Sequence, residues 1–233
     1  MKPIFEKKKI IELSEIEKVE MFKMAAPYYI DSTQIVLEEL NNNNEVYLAK
    51  VDGKMAAFFM VNSNIWNENV SYTYLGLSCS DENIKGIATV LYTLFTIDSY
   101  RTKNNSKSIL YGTTASPIVL FTLPKIWDNV KPTLQGKYDL LDKINIEKIK
   151  TLKGYSKYNE NHPFILKGIA KARYSKAENL RINEFAKKYD VTILEQLGIR
   201  EEEGDRLLIM CSVPSHERIE ELKARLIPFE IIS

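Results

Sequence analysis

The stretch from Leu75 to Leu91, LGLSCSDENIKGIATVL, carries residue types suited to chemistry on a phosphate-bearing ligand. Strand-forming residues run out, the chain turns, and a helix begins at Gly86 among small neighbours. The first turn of a helix has N–H groups without intrahelical partners and a partial positive charge. A glycine lets an anion approach that backbone, so the junction suits a phosphate or pyrophosphate. Taken alone, a purely structural turn is the commoner meaning of such a junction. Cys79 lies in the same stretch as a conceivable nucleophile, but His162 and His216 are far away in sequence. A small buried hydrophobe is the better reading of Cys79. Cys79 and Cys211 make neither a metal-ligand spacing nor a disulfide framework, so no metal is expected.

The elements that must position this stretch are read from periodicity. Ser14 with Glu17, and Asp31 with Gln34, are capping patterns that open two helices, the first ended by Pro27 and the second by Asn41–Asn44. Glu45–Val51 and Lys54–Asn62 read as strands joined at Asp52-Gly53, a pair suited to a type I′ turn. Asn69–Ser78 is a third strand, Ile87 to about Tyr100 a helix, and Ser108–Thr114 a fourth strand. Ser116-Pro117 opens a helix that Pro124 ends or kinks. From Gln135 to Tyr158 lysines interrupt the apolar residues, which suggests a helical excursion or a long connection. That lysine-rich segment, 137–157, reads as a solvated helical face, with a nucleotide 3′-phosphate or an acidic partner as the alternative. Phe164–Tyr174 resembles a strand, Lys176–Tyr189 a helix, and Arg206–Val213 a strand. Ser215 opens a last helix through Leu226. Arg200–Asp205 reads as an exposed acidic turn. The alternation predicts an α/β (α+β) fold with a mixed, mainly antiparallel central sheet flanked by helices.

Composition narrows the function classes. Of 233 residues, 45% are hydrophobic and 27% charged, which excludes a disordered chain. Lys+Arg 32 against Asp+Glu 31 leaves a net charge of +1, without the basic excess of a nucleic-acid binder. No apolar run approaches the roughly 20 residues of a membrane span, and MKPIFEKKKI lacks the apolar core of a secretory signal. The expectation is a cytoplasmic domain without nucleic-acid or membrane partners.

The order of two helices, an Asp-Gly hairpin, a long strand, a glycine turn and an amphipathic helix resembles the GNAT-type acyl-CoA N-acyltransferase superfamily. There, the fourth strand is followed by Gln/Arg-x-x-Gly-x-Gly/Ala, whose backbone holds the pyrophosphate of coenzyme A. The matching run here is Asn83-Ile84-Lys85-Gly86-Ile87-Ala88, in which Gly86 and Ala88 fit and Asn83 departs. Lys107–Thr133 resembles the family's fifth strand and fourth helix. The likeness is best over 14–133, with an irregular lysine-rich insertion at 134–162 and completing strands and helices at 163–233, all within one domain.

The resemblance implies that the third and fourth elements splay near a bulge in the fourth strand, with pantetheine in the gap. Leu77, Ser78 and Cys79 would then offer backbone to the pantetheine and thioester. Lys85, Gly86, Ile87, Ala88 and Thr89, with Asn83, would meet the pyrophosphate, and Ser116 would lie near the cofactor. It implies acetyl-CoA or another acyl-CoA as co-substrate, a small-molecule or peptide amine as acceptor, direct transfer, and a homodimer as one possible assembly. The family's acid and base are missing where they are expected. Counting back from Asn83 reaches Tyr72 rather than a carboxylate, and the acid position falls on Leu123, beside Phe121. Tyr72 and Tyr74 are the candidate acids, with Tyr111 beside them, and the base is expected to be water or the acceptor's own ionisation. Tyr74, Trp66 and Tyr28 would favour an apolar or aromatic acceptor, Asp31 or Glu68 a polycation, while Trp66 and Trp127 taken singly are more often core or rim residues. The rival reading is a non-catalytic module on the same fold. An unrelated nucleotide-binding protein would need a Gly-x-Gly-x-x-Gly, which the chain lacks.

Overall fold

Period-2 and period-3.6 stretches alternate along the chain, and the computed structural model gathers the period-2 stretches into one sheet. It describes residues 3–67, 70–102, 107–159, 161–226 and 230–231. In chain order the elements are β1 (Ile4–Lys9), α1 (Glu15–Ala25), α2 (Ser32–Asn42), β2 (Glu45–Val51), β3 (Lys54–Asn67) and β4 (Val70–Ser80). Then come α3 (Ile87–Arg101), β5 (Lys107–Thr114), α4 (Pro117–Thr122), β6 (Asp128–Lys131), α5 (Leu140–Lys153) and β7 (Tyr158–Asn159). The chain continues through β8 (His162–Leu166), α6 (Lys176–Tyr189), α7 (Ile193–Gln196), β9 (Arg206–Ser212), α8 (His216–Leu226) and β10 (Glu230–Ile231). Among the described residues the strand order is β10-β1-β2-β3-β4-β5-β9-β8-β7, with β6 also pairing β9. Among the described strand pairs only β1/β10 and β4/β5 run parallel, so the sheet is mixed and mainly antiparallel, as expected.

Several local signals are met in detail. Asp52 and Gly53 both take positive φ, 51° and 76°, between β2 and β3, which is what a type I′ turn requires. Ser14 Oγ accepts the Glu17 N–H at 3.2 Å while Glu17 accepts the Ser14 N–H at 2.9 Å. Other expectations fail for identifiable reasons. Asp31 sits in the left-handed region without capping through its side chain, and Gln34 turns to Glu38 instead. The strand expected over 164–174 ends at Leu166, beyond which the chain forms an irregular strap. The N-terminal strand β1 carries no clear sequence signal because four of its six residues are charged; only Phe5 is buried in it.

Alternation along the strands sends each face to a different layer. Val46, Leu48, Phe58 and Met60 pack with Met21, Val36 and Leu40 beneath α1 and α2. Their neighbours Tyr47, Phe59 and Val61 pack with Leu91 and Phe95 of α3 on the other face. The weak-signal segment forms a full helix, α5, whose Asp139–Asp142 capping box and Gly154 at φ 66° fix both ends. No helix among the described residues is long and apolar enough to cross a membrane.

Candidate active site

Parallel pairing of β4 with β5 holds from Val70/Lys107 to Tyr74/Tyr111 and stops. Beyond it β5 stays with β9 as far as Thr114, whereas β4 runs on to Ser80 beside β3 alone. The parting thus lies between β4 and β5, not between the third and fourth elements as the resemblance implied, because β3 stays paired with β4 as far as Ser80. Gly112 stands at its vertex: a Cβ there would lie 3.0 Å from the Leu75 carbonyl oxygen. Beside the gap β4 carries a bulge against β3, because Ser78 pairs with Phe59 and Leu75 with Val61, giving β4 one extra residue. Past the vertex, β4 backbone groups directed toward β5 have no ladder partner, and such groups are strong hydrogen-bonding sites.

A cavity of about 420 Å³ runs through this parting. On the α3 side its walls are Phe59, Ser78, Tyr92, Val119, Leu123 and Trp127; on the α2 side they are Glu38, Glu39, Tyr74, Lys153 and Tyr155. Trp127 is fixed by donating from Nε1 to Thr96 Oγ1 at 2.6 Å. A strap, Ile169–Ala172, with Tyr29 and Tyr174, forms a further wall. It is stitched to the α1–α2 turn by Ile30 N–H to Arg173 C=O at 3.0 Å and Ser175 N–H to Tyr28 C=O at 2.9 Å. Asp205 holds its root, accepting from Lys167 at 2.8 Å and from the Gly168 N–H at 3.1 Å. The acidic turn before β9 is therefore partly buried and structural, not simply exposed.

The group the sequence did not disclose is Glu39. Its Oε2 accepts the Leu77 N–H inside the bulge at 3.1 Å and the Asn43 side-chain amide at 2.9 Å, and its Oε1 accepts the Tyr74 hydroxyl at 3.3 Å. Burial raises its pKa; the hydrogen bonds from Asn43, Leu77 and Tyr74 and the charge of Lys153 pull the other way. A Cβ on Gly76 would lie 2.8 Å from this carboxylate and from the Asn43 amide, so only glycine permits the approach. A carboxylate with raised pKa in a cleft is the type of group that serves as a general base. Burial, then the charge of Glu39, pushes the Tyr74 phenol well above its ordinary range.

The other expected residues distribute unevenly. Leu77 and Ser78 line the cavity; Asn83, Lys85, Gly86, Ile87, Ala88, Thr89 and Ser116 do not. Gly86 precedes α3 with φ 83° and open space where a Cβ would be. Among the described residues, no backbone acceptor takes the N–H of Ala88 or Thr89. The Ile87 and Ser116 side chains are buried, and Asn83 bonds Asp81 through backbone and side chain. Cys79 is buried on the α1–α2 face and burial pushes its thiol up, so it packs as a hydrophobe. Tyr72 is buried outside the cavity with its hydroxyl 3.4 Å from Asn145 Oδ1. Tyr28 donates to the Ser80 carbonyl at 2.5 Å, away from this cavity. Asp31 is exposed at the start of α2. Glu68 and the side chain of Trp66 lie outside the described residues.

Fold and cleft define an open, mainly antiparallel α/β sheet with a ligand-sized parting between its central parallel strands. No family model and no curated protein matches the chain. Among solved structures, the chain is similar to a putative GNAT-family acetyltransferase from Desulfovibrio desulfuricans, at 9% identity and TM-score 0.42 over 90% of this chain and 99% of that one. It is similar also to the ribosomal-protein-S18-alanine N-acetyltransferase of Escherichia coli, at 8% and 0.43 over 91% and 95%. A third is a GNAT-family acetyltransferase from Brucella melitensis in complex with acetyl-CoA, at 14% and 0.34 over 46% and 74%. At such values the likeness carries no argument about the reaction. The cleft itself must carry it.

Proposed function

We propose that the protein is an acyl-CoA-dependent N-acyltransferase that moves an acetyl or similar group to an amine without a covalent enzyme intermediate. The observation that carries the reading is Glu39, a carboxylate bonded into the bulge of β4 within a cleft open between β4 and β5. The residues present fit acyl-CoA: a strand edge at Leu75–Ser78 without a ladder partner on the β5 side, apart from the Leu77 N–H that Glu39 takes, for an extended amide-bearing arm, and first-turn N–H groups at Ala88 and Thr89 beside Lys85 for its phosphates. When bound, the thioester supplies the activated carbonyl: a C–N bond forms there, the C–S bond breaks, and the thiolate takes up one proton for the one the amine gives up.

The chain's own residues do the rest. Glu39 takes the amine proton on Oε1, whose other partner is the Tyr74 hydroxyl. The Leu77 N–H and the Asn43 amide lock Oε2, so the carboxylate keeps one orientation. Phe59, Tyr92 and Trp127 give the α3 side of the cleft an aromatic wall. The non-catalytic alternative rested on a missing acid and base; in this reading Glu39, contributed by α2 rather than β4, stands in for the base.

Two measurements test the reading. Coenzyme A at a hundred times its Kd stabilises by about 2.7 kcal/mol, which should raise Tm by about 5–10 °C in a chain of this size. Acetyl-CoA with an amine panel should release free thiol. No thermal shift at millimolar coenzyme A overturns the proposal; a shift without thiol release from any amine leaves a binding module.

A further inference from the structure

Among the described residues three cations line the cavity, and two are committed. Arg206 is buried and bonded to Glu201 at 3.1 Å, to the Ala172 carbonyl at 2.5 Å and to the Asp205 carbonyl at 2.8 Å. Lys171 lies exposed at 3.3 Å from Glu38. Lys153 is different. It ends α5, half-buried, with its ammonium 3.8 Å from the Tyr74 ring centroid and 6.0 Å from that of Tyr111. Among the described residues no hydrogen bond or ion pair engages it, although it faces the same cavity as Glu39. Lys150 of the same helix behaves otherwise: it bonds Glu147 at 2.9 Å beneath the Tyr158 ring.

Tyr74 relates the two charges. Its hydroxyl touches Glu39 and its ring face carries Lys153, so a carboxylate and an unpaired ammonium flank one side chain. Both lie on the α2 face of the sheet, away from α3 and the cofactor half of the cleft. An acceptor that presents only an amine would leave Lys153 without a counter-ion in a half-buried site, which is costly. Burial already draws the Lys153 pKa down, with Glu39 opposing. The strap, bonded to the α1–α2 turn on one side and to Asp205 on the other, limits the space beside these groups.

Resting on the acyl-transfer reading, we infer that the acceptor is a small amine carrying its own carboxylate, of the α-amino-acid type, with the amine at Glu39 and the carboxylate at Lys153. Both charges then sit on one carbon of the acceptor, matching two groups that share Tyr74. The neighbouring Tyr29, Tyr155 and Tyr174 supply aromatic surface for its side chain. Lys153 is here a specificity residue that touches substrate, and the lysine-rich segment is more than a solvated face at this position.

The test titrates the coenzyme-A-bound protein with matched sets: L-phenylalanine, L-methionine and L-glutamine, their amides, and the corresponding amines without the carboxyl group. Thiol release from acetyl-CoA is measured with the same sets. At least one amino acid should bind tenfold or more tightly than its amide, and Lys153→Met or Lys153→Gln should bring that ratio near one. Glu39→Gln should keep the ratio while thiol release falls. Carboxylate preference without thiol release supports the recognition and overturns the transfer reaction. Thiol release with no preference for the carboxylate, or preference unchanged in both Lys153 variants, overturns the inference and leaves the transfer reaction standing. Absence of binding by every member also overturns it.

Discussion

Gly76→Ala isolates the contact on which the candidate base depends. No positive φ is involved, so the substitution acts through its Cβ alone. That carbon would sit 2.8 Å from Glu39 Oε2 and equally close to both polar atoms of the Asn43 amide. The far ends of these side chains must shift. Glu39 then loses its bond to the Leu77 N–H, leaving a partly buried donor unmatched at a cost of about 1–3 kcal/mol. For a chain of this length each kcal/mol lowers Tm by about 2–4 °C, so a fall of about 2–12 °C is expected. A displacement of about 1 Å in a reacting group costs about a hundredfold in rate. The expected outcome is therefore kcat reduced about a hundredfold in a protein that remains folded, with coenzyme A affinity lowered much less, because the added methyl group points to Glu39 and Asn43 while the Leu75–Ser78 edge would meet the arm through its backbone. Steady-state thiol release and a coenzyme A titration measure the two quantities. A Gly76→Ala protein with wild-type kcat refutes the argument that Glu39 works from the bulge. An equal loss of coenzyme A affinity refutes the division of the cleft into two halves.

Glu39→Gln keeps an acceptor for Leu77 but cannot take a proton, so kcat should drop by about 10²–10⁴. The wild-type rate, by contrast, should rise as pH increases through a Glu39 pKa displaced above the usual carboxylate range; a rate indifferent to the substitution removes Glu39 as base. Gly86→Asp meets no atom but adds charge at the start of α3, and should weaken coenzyme A at least tenfold, about 1.4 kcal/mol, in a folded protein; unchanged affinity moves the phosphate site elsewhere. Burial works against ionising Glu17, yet hydrogen bonds from Lys8 at 2.6 Å and Lys50 at 2.9 Å hold its pKa at about 2. Because the folded pKa is depressed, this stabilisation is complete above about pH 4.5 and lost as pH falls toward 2. Glu17→Gln should lower Tm at neutral pH and flatten its decline across that acid window; parallel curves for the two proteins refute the linkage.

Why Gly86 was legible and Glu39 was not comes down to sequence range. The strand–glycine–helix junction, the Asp52-Gly53 hairpin and the Ser14–Glu17 box are each written in a few adjacent residues, because turn geometry and caps are decided by near neighbours. The cleft is assembled from pairs far apart in the chain. Glu39 meets Leu77 and Tyr74 from another element, and Lys153 reaches Tyr74 from a third. A trace of it was nevertheless present. Val36 and Leu40 on α2 and Asn43 just past its end are buried, and Glu39 falls beside that stripe. A carboxylate on the edge of an apolar stripe must find donors or remain unfavourably placed. Four residues on, Asn43 donates to it, and opposite it Gly76 removes the side chain that would keep it away. A count along β4 therefore finds no carboxylate: the bulge supplies an N–H that receives one, and in the proposed reading α2 supplies the base.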